Sequence, residues 1–155
     1  MDHQRRDTLK AGGGLGVFGL LVAAGVIKPE LAQAAWNAQA FEARSLEAAF
    51  GALGAGKPAA SDGVLITSPD IAENGAVVPV GVVSNIPGTE YIAIMVEKNP
   101  YMLAASFIIP EGTVAELQTR VKMSQTSDVH ALVKANGKFY TSRKEVKVTL
   151  GGCGG

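Results

Sequence analysis

Cysteine is all but missing from this chain: 155 residues contain one, Cys153. No disulfide can close within the chain, and there is no Cys-x-x-Cys or Cys-x-x-Cys-His pattern for a metal, a redox pair or a haem. Histidine is nearly as scarce, with His3 and His130 alone. A single imidazole on a strand is ordinarily a surface or a satisfied residue, and a metal site would need partners that no spacing supplies, so no metal and no bound cofactor is expected. Asp70 and Glu73 stand in a turn-rich stretch and read as turn formers. Aromatic residues are only 6% of the chain, while 47% is apolar, so a core of Val, Ala, Leu and Ile is available. That apolar fraction excludes wholesale disorder. The formal net charge is zero, which excludes the dense basic face of a nucleic-acid binder.

Long hydrophobic runs are absent too. The longest uncharged stretch, Ala11–Ile27, has 17 residues, the short limit for a membrane span. It follows Gln4-Arg5-Arg6-Asp7-Thr8-Leu9-Lys10 and precedes Ala32-Gln33-Ala34. A basic segment, a moderately apolar segment and a small-x-small pattern form a secretory signal. The adjacent Arg5 and Arg6 make it a twin-arginine signal, the route for cargo that is already folded. Residues 1–34 are therefore expected to be removed, leaving a periplasmic protein with no membrane segment. A retained anchor is the competing reading, and the cleavage pattern weighs against it. Gly12-Gly13-Gly14 falls in this signal and is no phosphate loop.

From Ala35 onward the chain has ten basic and eleven acidic residues. Lys134 to Leu150 carries five basic residues against Glu145 alone. Solvated strand faces account for this, although mild attraction of anions or of an acidic partner is the sharper alternative.

Along the mature chain, residues 35–62 read as a helix and linker. Leu46, Ala49, Phe50 and Leu53 share one helical face within Phe41–Leu53, and Gly51 to Pro58 holds the breakers that stop it. A loosely docked arm is the other reading of this segment. Residues 63–150 read as about eight short strands joined by turns. Glu73-Asn74-Gly75, Asn85-Ile86-Pro87-Gly88 and Asn136-Gly137 are turn signals. In Thr113–Met123, Ala115, Leu117, Thr119, Val121 and Met123 alternate with Glu116, Gln118, Arg120 and Lys122, the pattern of a half-buried strand. Asp128–Ala135 repeats it. Lys138–Ser142 returns from the Asn-Gly turn, and Val146, Val148 and Leu150 alternate in a last strand. Pro79, inside the β-branched run Ala76–Val83, points to an edge or a bulge. The whole predicts an antiparallel, all-β sandwich.

The chain closes on Gly151-Gly152-Cys153-Gly154-Gly155. Four glycines leave the backbone nearly unrestricted, and five extended residues span at most about 17 Å. Such an arm can carry a thiol into a narrow cleft on another protein. It cannot hold a catalytic nucleophile against a base and an orienting group, so no enzymatic activity is expected. Two other readings compete with a covalent carrier. One is an inert tail, disfavoured because an exposed thiol is a liability. The other is an exported interaction module that uses Cys153 for an intermolecular disulfide.

The terminal pentapeptide and the twin-arginine segment resemble the SoxY sulfur-carrier family of the periplasmic thiosulfate-oxidising (Sox) system. So do Ile71-Ala72-Glu73-Asn74-Gly75-Ala76-Val77-Val78-Pro79-Val80, Val96-Glu97-Lys98-Asn99-Pro100 and Gln125-Thr126-Ser127-Asp128-Val129. The resemblance implies an immunoglobulin-like sandwich paired with a second subunit, SoxZ. It implies that Cys153 carries sulfur intermediates as covalent adducts, with Gly151, Gly152, Gly154 and Gly155 giving the arm its freedom. It also implies transient partners: the haem enzyme SoxXA, the manganese hydrolase SoxB and the sulfur dehydrogenase SoxCD.

Overall fold

Alternating apolar and polar side chains send a strand's two edges of character to opposite faces, and the chain uses that alternation to build two sheets. The computed structural model describes residues 37–149. The expected signal, Leu150 and the Gly151–Gly155 arm with Cys153 lie outside the described residues. Two short helices come first, α1 (Ala38–Phe41) and α2 (Leu46–Ala52). Nine strands follow: β1 (Ala59–Ala60), β2 (Val64–Thr67), β3 (Ile71–Ala72), β4 (Val78–Ser84), β5 (Thr89–Val96), β6 (Leu103–Ile108), β7 (Glu116–Val121), β8 (Ser127–Ala135) and β9 (Lys138–Val148). A 3₁₀ turn, Gly75–Val77, leads into β4.

The helical segment is two helices where one was expected over Phe41–Leu53. Asn37 caps the first, accepting from the Ala40 N–H at 3.0 Å, and Ser45 caps the second, accepting from the Ala48 N–H at 3.1 Å. A capping side chain satisfies an amide that lacks an intrahelical partner and so starts a new helix at that point. The segment is docked, since Ala40, Ala43 and Ala49 are buried in one cluster with Ala93, Met95, Leu103 and Leu132 of the sheet.

The larger sheet runs β1-β9-β8-β5-β6, with β3 also on β9, and the smaller runs β2-β4-β7. Between them lies the main core, including Val64, Val78, Val80, Val82, Ile92, Ile94, Val129, Val133 and Val146. β5 shows the arrangement in one strand. Ile92, Ile94 and Val96 face the smaller sheet, while Ala93 and Met95 face the helices, and all five are fully buried. β8 is likewise buried on both faces, with Leu132 under the helices, where its alternation alone predicts one wet face. The helical cover makes the difference.

The pairing is antiparallel except along one margin, where β1 pairs parallel with β9 at Tyr140–Thr141 and β3 at Lys147–Val148. Between these two touches the chain crosses into the other sheet as β2. One connected segment thereby covers the open side of β9 and joins the two sheets. β9 itself is a single eleven-residue strand, where two shorter strands were expected.

Pro79 sits in the middle strand of the smaller sheet, not at an edge. The Ser84 N–H donates to Ala115 O, toward β7, and the Asn85 N–H donates to Gly63 O, toward β2. Counting back by twos, Pro79 faces the β2 side. β2 ends at Thr67, opposite Gly81, so no acceptor is left waiting for the donor that proline lacks.

The β8–β9 hairpin turns through Asn136 and Gly137, both at positive φ (50° and 73°), the geometry that matches the natural twist of a two-residue hairpin. The Asn136 side chain then donates to Pro87 O at 2.8 Å. Gly88, at φ 73°, lies beneath it, and a Cβ there would come within 2.6 Å of Asn136 Oδ1. Gly88→Ala therefore meets backbone strain and displaces the asparagine together. We expect a loss of at least about 1 kcal/mol in urea unfolding, whereas Gly112→Ala, at positive φ but in open space, should cost less.

Candidate functional site

In sequence Cys153 follows shortly after the end of β9. The Lys147 N–H donates to Asp70 O at 2.9 Å and the Thr149 N–H to Ala72 O at 3.1 Å. Between them the Val148 N–H donates to the Thr126 hydroxyl at 3.0 Å. Successive amides of a strand point to opposite sides, so β9 is held from both: by β3 on one, by Thr126 on the other. Further back, Lys144 Nζ donates to Ser68 O at 2.6 Å and pairs with Asp70 at 3.0 Å. The strand is thus fixed up to Thr149, four residues before Cys153.

The internal segments singled out in the sequence meet at this same end. The Glu97 N–H donates to Asp128 O, and the Met123 N–H donates to Gly75 O at 2.7 Å. The Lys98 N–H donates to the Ser127 hydroxyl at 3.0 Å. Asn99 donates through Nδ2 to Lys122 O at 2.7 Å and accepts from the Ser124 N–H at 3.1 Å. Ile71–Val80, Val96–Pro100 and Gln125–Val129 are far apart in sequence. Hydrogen bonds to residues 122–124 and to the end of β9 gather them into one collar at this end of the sandwich. Side chains take the place of ladder partners here because the strands have run out and their amides still need acceptors.

Of the residues expected to act, Cys153, Gly151, Gly152, Gly154, Gly155, Arg5 and Arg6 lie outside the described residues. His130 is on β8, on the face toward the helices, and it has carboxylate company that the sequence did not disclose. Its Nε2 is 3.3 Å from Glu97 Oε2, and Asp128 is close by. Strand pairing makes this neighbourhood, since Asp128 and His130 share a face of β8 and Glu97 follows the end of β5. Three of the five Lys and Arg residues of β8 and β9 are ion-paired: Lys134 with Glu90, Arg143 with Asp128 and Lys144 with Asp70. Solvated, paired strand faces explain that charge run. Thr126 and Asp70 have roles at the root of the arm that sequence reasoning missed, although both stand in or beside the quoted motifs.

The fold and this strand-end collar define an immunoglobulin-like β-sandwich protein with a helical cover on one face and an anchored last strand. Within that class the assignment is specific. Residues 50–153 match the family model of SoxY, the sulfur oxidation protein SoxY, and the chain belongs to that family. Among solved structures, the chain is similar to the sulfur carrier protein SoxY from Chlorobium limicola f thiosulfatophilum. Identity is 37%, the match covers 74% of this chain and 100% of that one, and the TM-score is 0.62. A superoxide reductase (neelaredoxin) from Ignicoccus hospitalis is more distant, at 18% identity over 55% of this chain and 79% of that one, with a TM-score of 0.48. No curated protein matches the chain.

The collar yields a direct test. Thr126→Val keeps the side-chain volume and removes the acceptor of the Val148 N–H. An orphaned, part-buried amide costs about 1–3 kcal/mol. Hydrogen exchange at Val148 and Thr149 should accelerate at least about tenfold, while exchange at Val129 and Val133, in the β8 core, should change little.

Proposed function

We propose that this protein is a covalent carrier of sulfur intermediates in thiosulfate oxidation, and that Cys153 is the atom-bearing site. The observation that carries this reading is the family match, which runs up to residue 153, the cysteine itself. The anchoring of β9 at Thr149 supports it, because a carrier thiol needs a rigid root and a thin, permissive tether. The relative from Chlorobium is described as a sulfur carrier.

The chemistry suits sulfur and excludes other side chains. The Cys153 thiolate and thiosulfate join through a new S–S bond as two electrons leave, giving a protein-bound S–S–SO₃⁻ group. A haem enzyme of the SoxXA kind is the acceptor of those electrons. Hydrolysis by a SoxB-like enzyme then adds water across the S–SO₃ bond, releases sulfate and two protons, and leaves a persulfide on Cys153. A serine or lysine could not retain the sulfane sulfur, whereas a cysteine holds it as an S–S bond. A sulfur dehydrogenase of the SoxCD kind would oxidise the persulfide where one is present. Catalysis resides in the partners, and the carrier moves the adduct between them. SoxZ is the proposed permanent partner, and the twin-arginine signal at Arg5-Arg6 the proposed route to the periplasm.

Mass measurement of the protein taken from thiosulfate-grown cells, intact and after digestion, should show adducts of S–SO₃ and persulfide mass, confined to a peptide containing Cys153. Cys153→Ser should lose every adduct and abolish thiosulfate oxidation in the reconstituted system. Its unfolding free energy should stay within a few tenths of a kcal/mol of the parent, as for surface changes. Continued turnover by that variant would refute the carrier reading.

The flanking glycines separate access from reactivity. Gly152→Val with Gly154→Val places branched bulk on both sides of the thiol without adding charge. Labelling by iodoacetamide should proceed at close to the parent rate, and loading by the partner enzymes should collapse. Equal loss in both assays would contradict a steric role for the glycines.

A further inference from the structure

We infer that Glu97, Asp128 and His130 form a binding site for one divalent transition-metal ion, with Zn²⁺ the best-matched common ion. Their potential ligand atoms all lie within 4.8 Å of one another. The His130–Glu97 separation, 3.3 Å, equals the edge of a tetrahedron with bonds of about 2.05 Å, the ordinary length for zinc bound to imidazole and carboxylate. Two of the three ligands come from alternate positions on β8 and the third from the adjoining end of β5. The Glu97 N–H also donates to Asp128 O at 3.1 Å, so the backbone at the site is held by the sheet.

Burial and charge favour the same ion. The His130 side chain is 11% exposed, while those of Asp128 and Glu97 are 24% and 44% exposed. One shielded imidazole beneath two partly wet carboxylates leaves a solvent-facing position for water, as in three-ligand zinc sites. The two carboxylates balance a dication. Among the described residues the cation ion-paired with these carboxylates is Arg143, whose Nη1 is 3.5 Å from Asp128 Oδ2 and whose side chain is 74% exposed. A guanidinium so exposed can swing into water when the ion enters, and its pairing with Asp128 contributes little. A mixed nitrogen and oxygen donor set favours zinc, cobalt or nickel over magnesium and calcium, which prefer oxygen alone.

The test uses the full chain carrying Cys153→Ser and His3→Gln, which leaves His130 as the only imidazole or thiol ligand. Calorimetric titration with ZnCl₂ should give one equivalent bound, with a dissociation constant in the micromolar range. Co²⁺ should show visible absorption of four- or five-coordinate character. His130→Gln and, separately, Asp128→Asn should each weaken binding at least about tenfold. Asp128→Asn lies in a part-exposed position and carries the test if the buried histidine variant fails to fold. Arg143→Ala should bind zinc more tightly than its parent. Absence of saturable binding below about 1 mM, or zinc binding unchanged by Asp128→Asn, would overturn the assignment.

Discussion

The larger sheet of this protein must hide both of its faces, and most of the architecture answers that requirement. β5 and β8 are central, and each presents apolar side chains in two directions. Ile92, Ile94, Val129 and Val133 point into the sandwich, and Ala93, Met95 and Leu132 point away from it. Burial of each large aliphatic side chain contributes about 1.5–3 kcal/mol, so an uncovered second face would forfeit several such terms. The two N-terminal helices supply the cover with alanines, which let them approach closely. This makes residues 37–53 part of the folded body. It also accounts for the small side chain at Ala93, where bulk would push the helices away from the sheet.

The opposite margin is managed by the segment from Ala59 to Ala72. It touches β9 twice and spends the interval in the smaller sheet. An exposed edge strand invites pairing with other chains, and here the margin of β9 is occupied near both ends. The second touch does more than protect. Together with Thr126 it holds the end of β9 from two sides. In the carrier role proposed above, a firmly held strand end would give partner proteins a fixed body to recognise. The collar of Lys98, Asn99, Ser124 and Ser127 stands at that boundary, which gives a structural reason for motifs so distant in sequence to belong together.

Thiol chemistry and the charged cluster occupy different parts of the molecule's logic. The thiol chemistry proposed for Cys153 follows from residue type and from its glycine neighbours in sequence. The group formed by Glu97, Asp128, His130 and Arg143 exists only because β5, β8 and β9 lie side by side. A single histidine in a sequence gives no sign of a carboxylate partner 33 positions away.

Local pattern was sufficient for much of the fold. Alternation between Glu116 and Val121, and the Asn136-Gly137 turn, identify strands and a hairpin because each signal is carried by neighbouring residues. The Gly-Gly-Cys-Gly-Gly terminus states the candidate chemistry on its own, for the same reason. Other features depended on contacts between distant segments. Leu132 and Met95 are buried by helices about forty to ninety residues earlier in the chain, so alternation in their own strands could not reveal a second covered face. Pro79 looked like an edge residue because proline lacks a donor; only the length of β2 shows that a central strand tolerates it there. The parallel pairing of β3 with β9, and the anchoring of Val148 by Thr126, join residues more than twenty positions apart. Periodicity reports which side of an element is apolar. Which neighbour covers that side, and which side chains thereby meet, is decided by tertiary packing, because burial depends on contacts that adjacent residues do not encode.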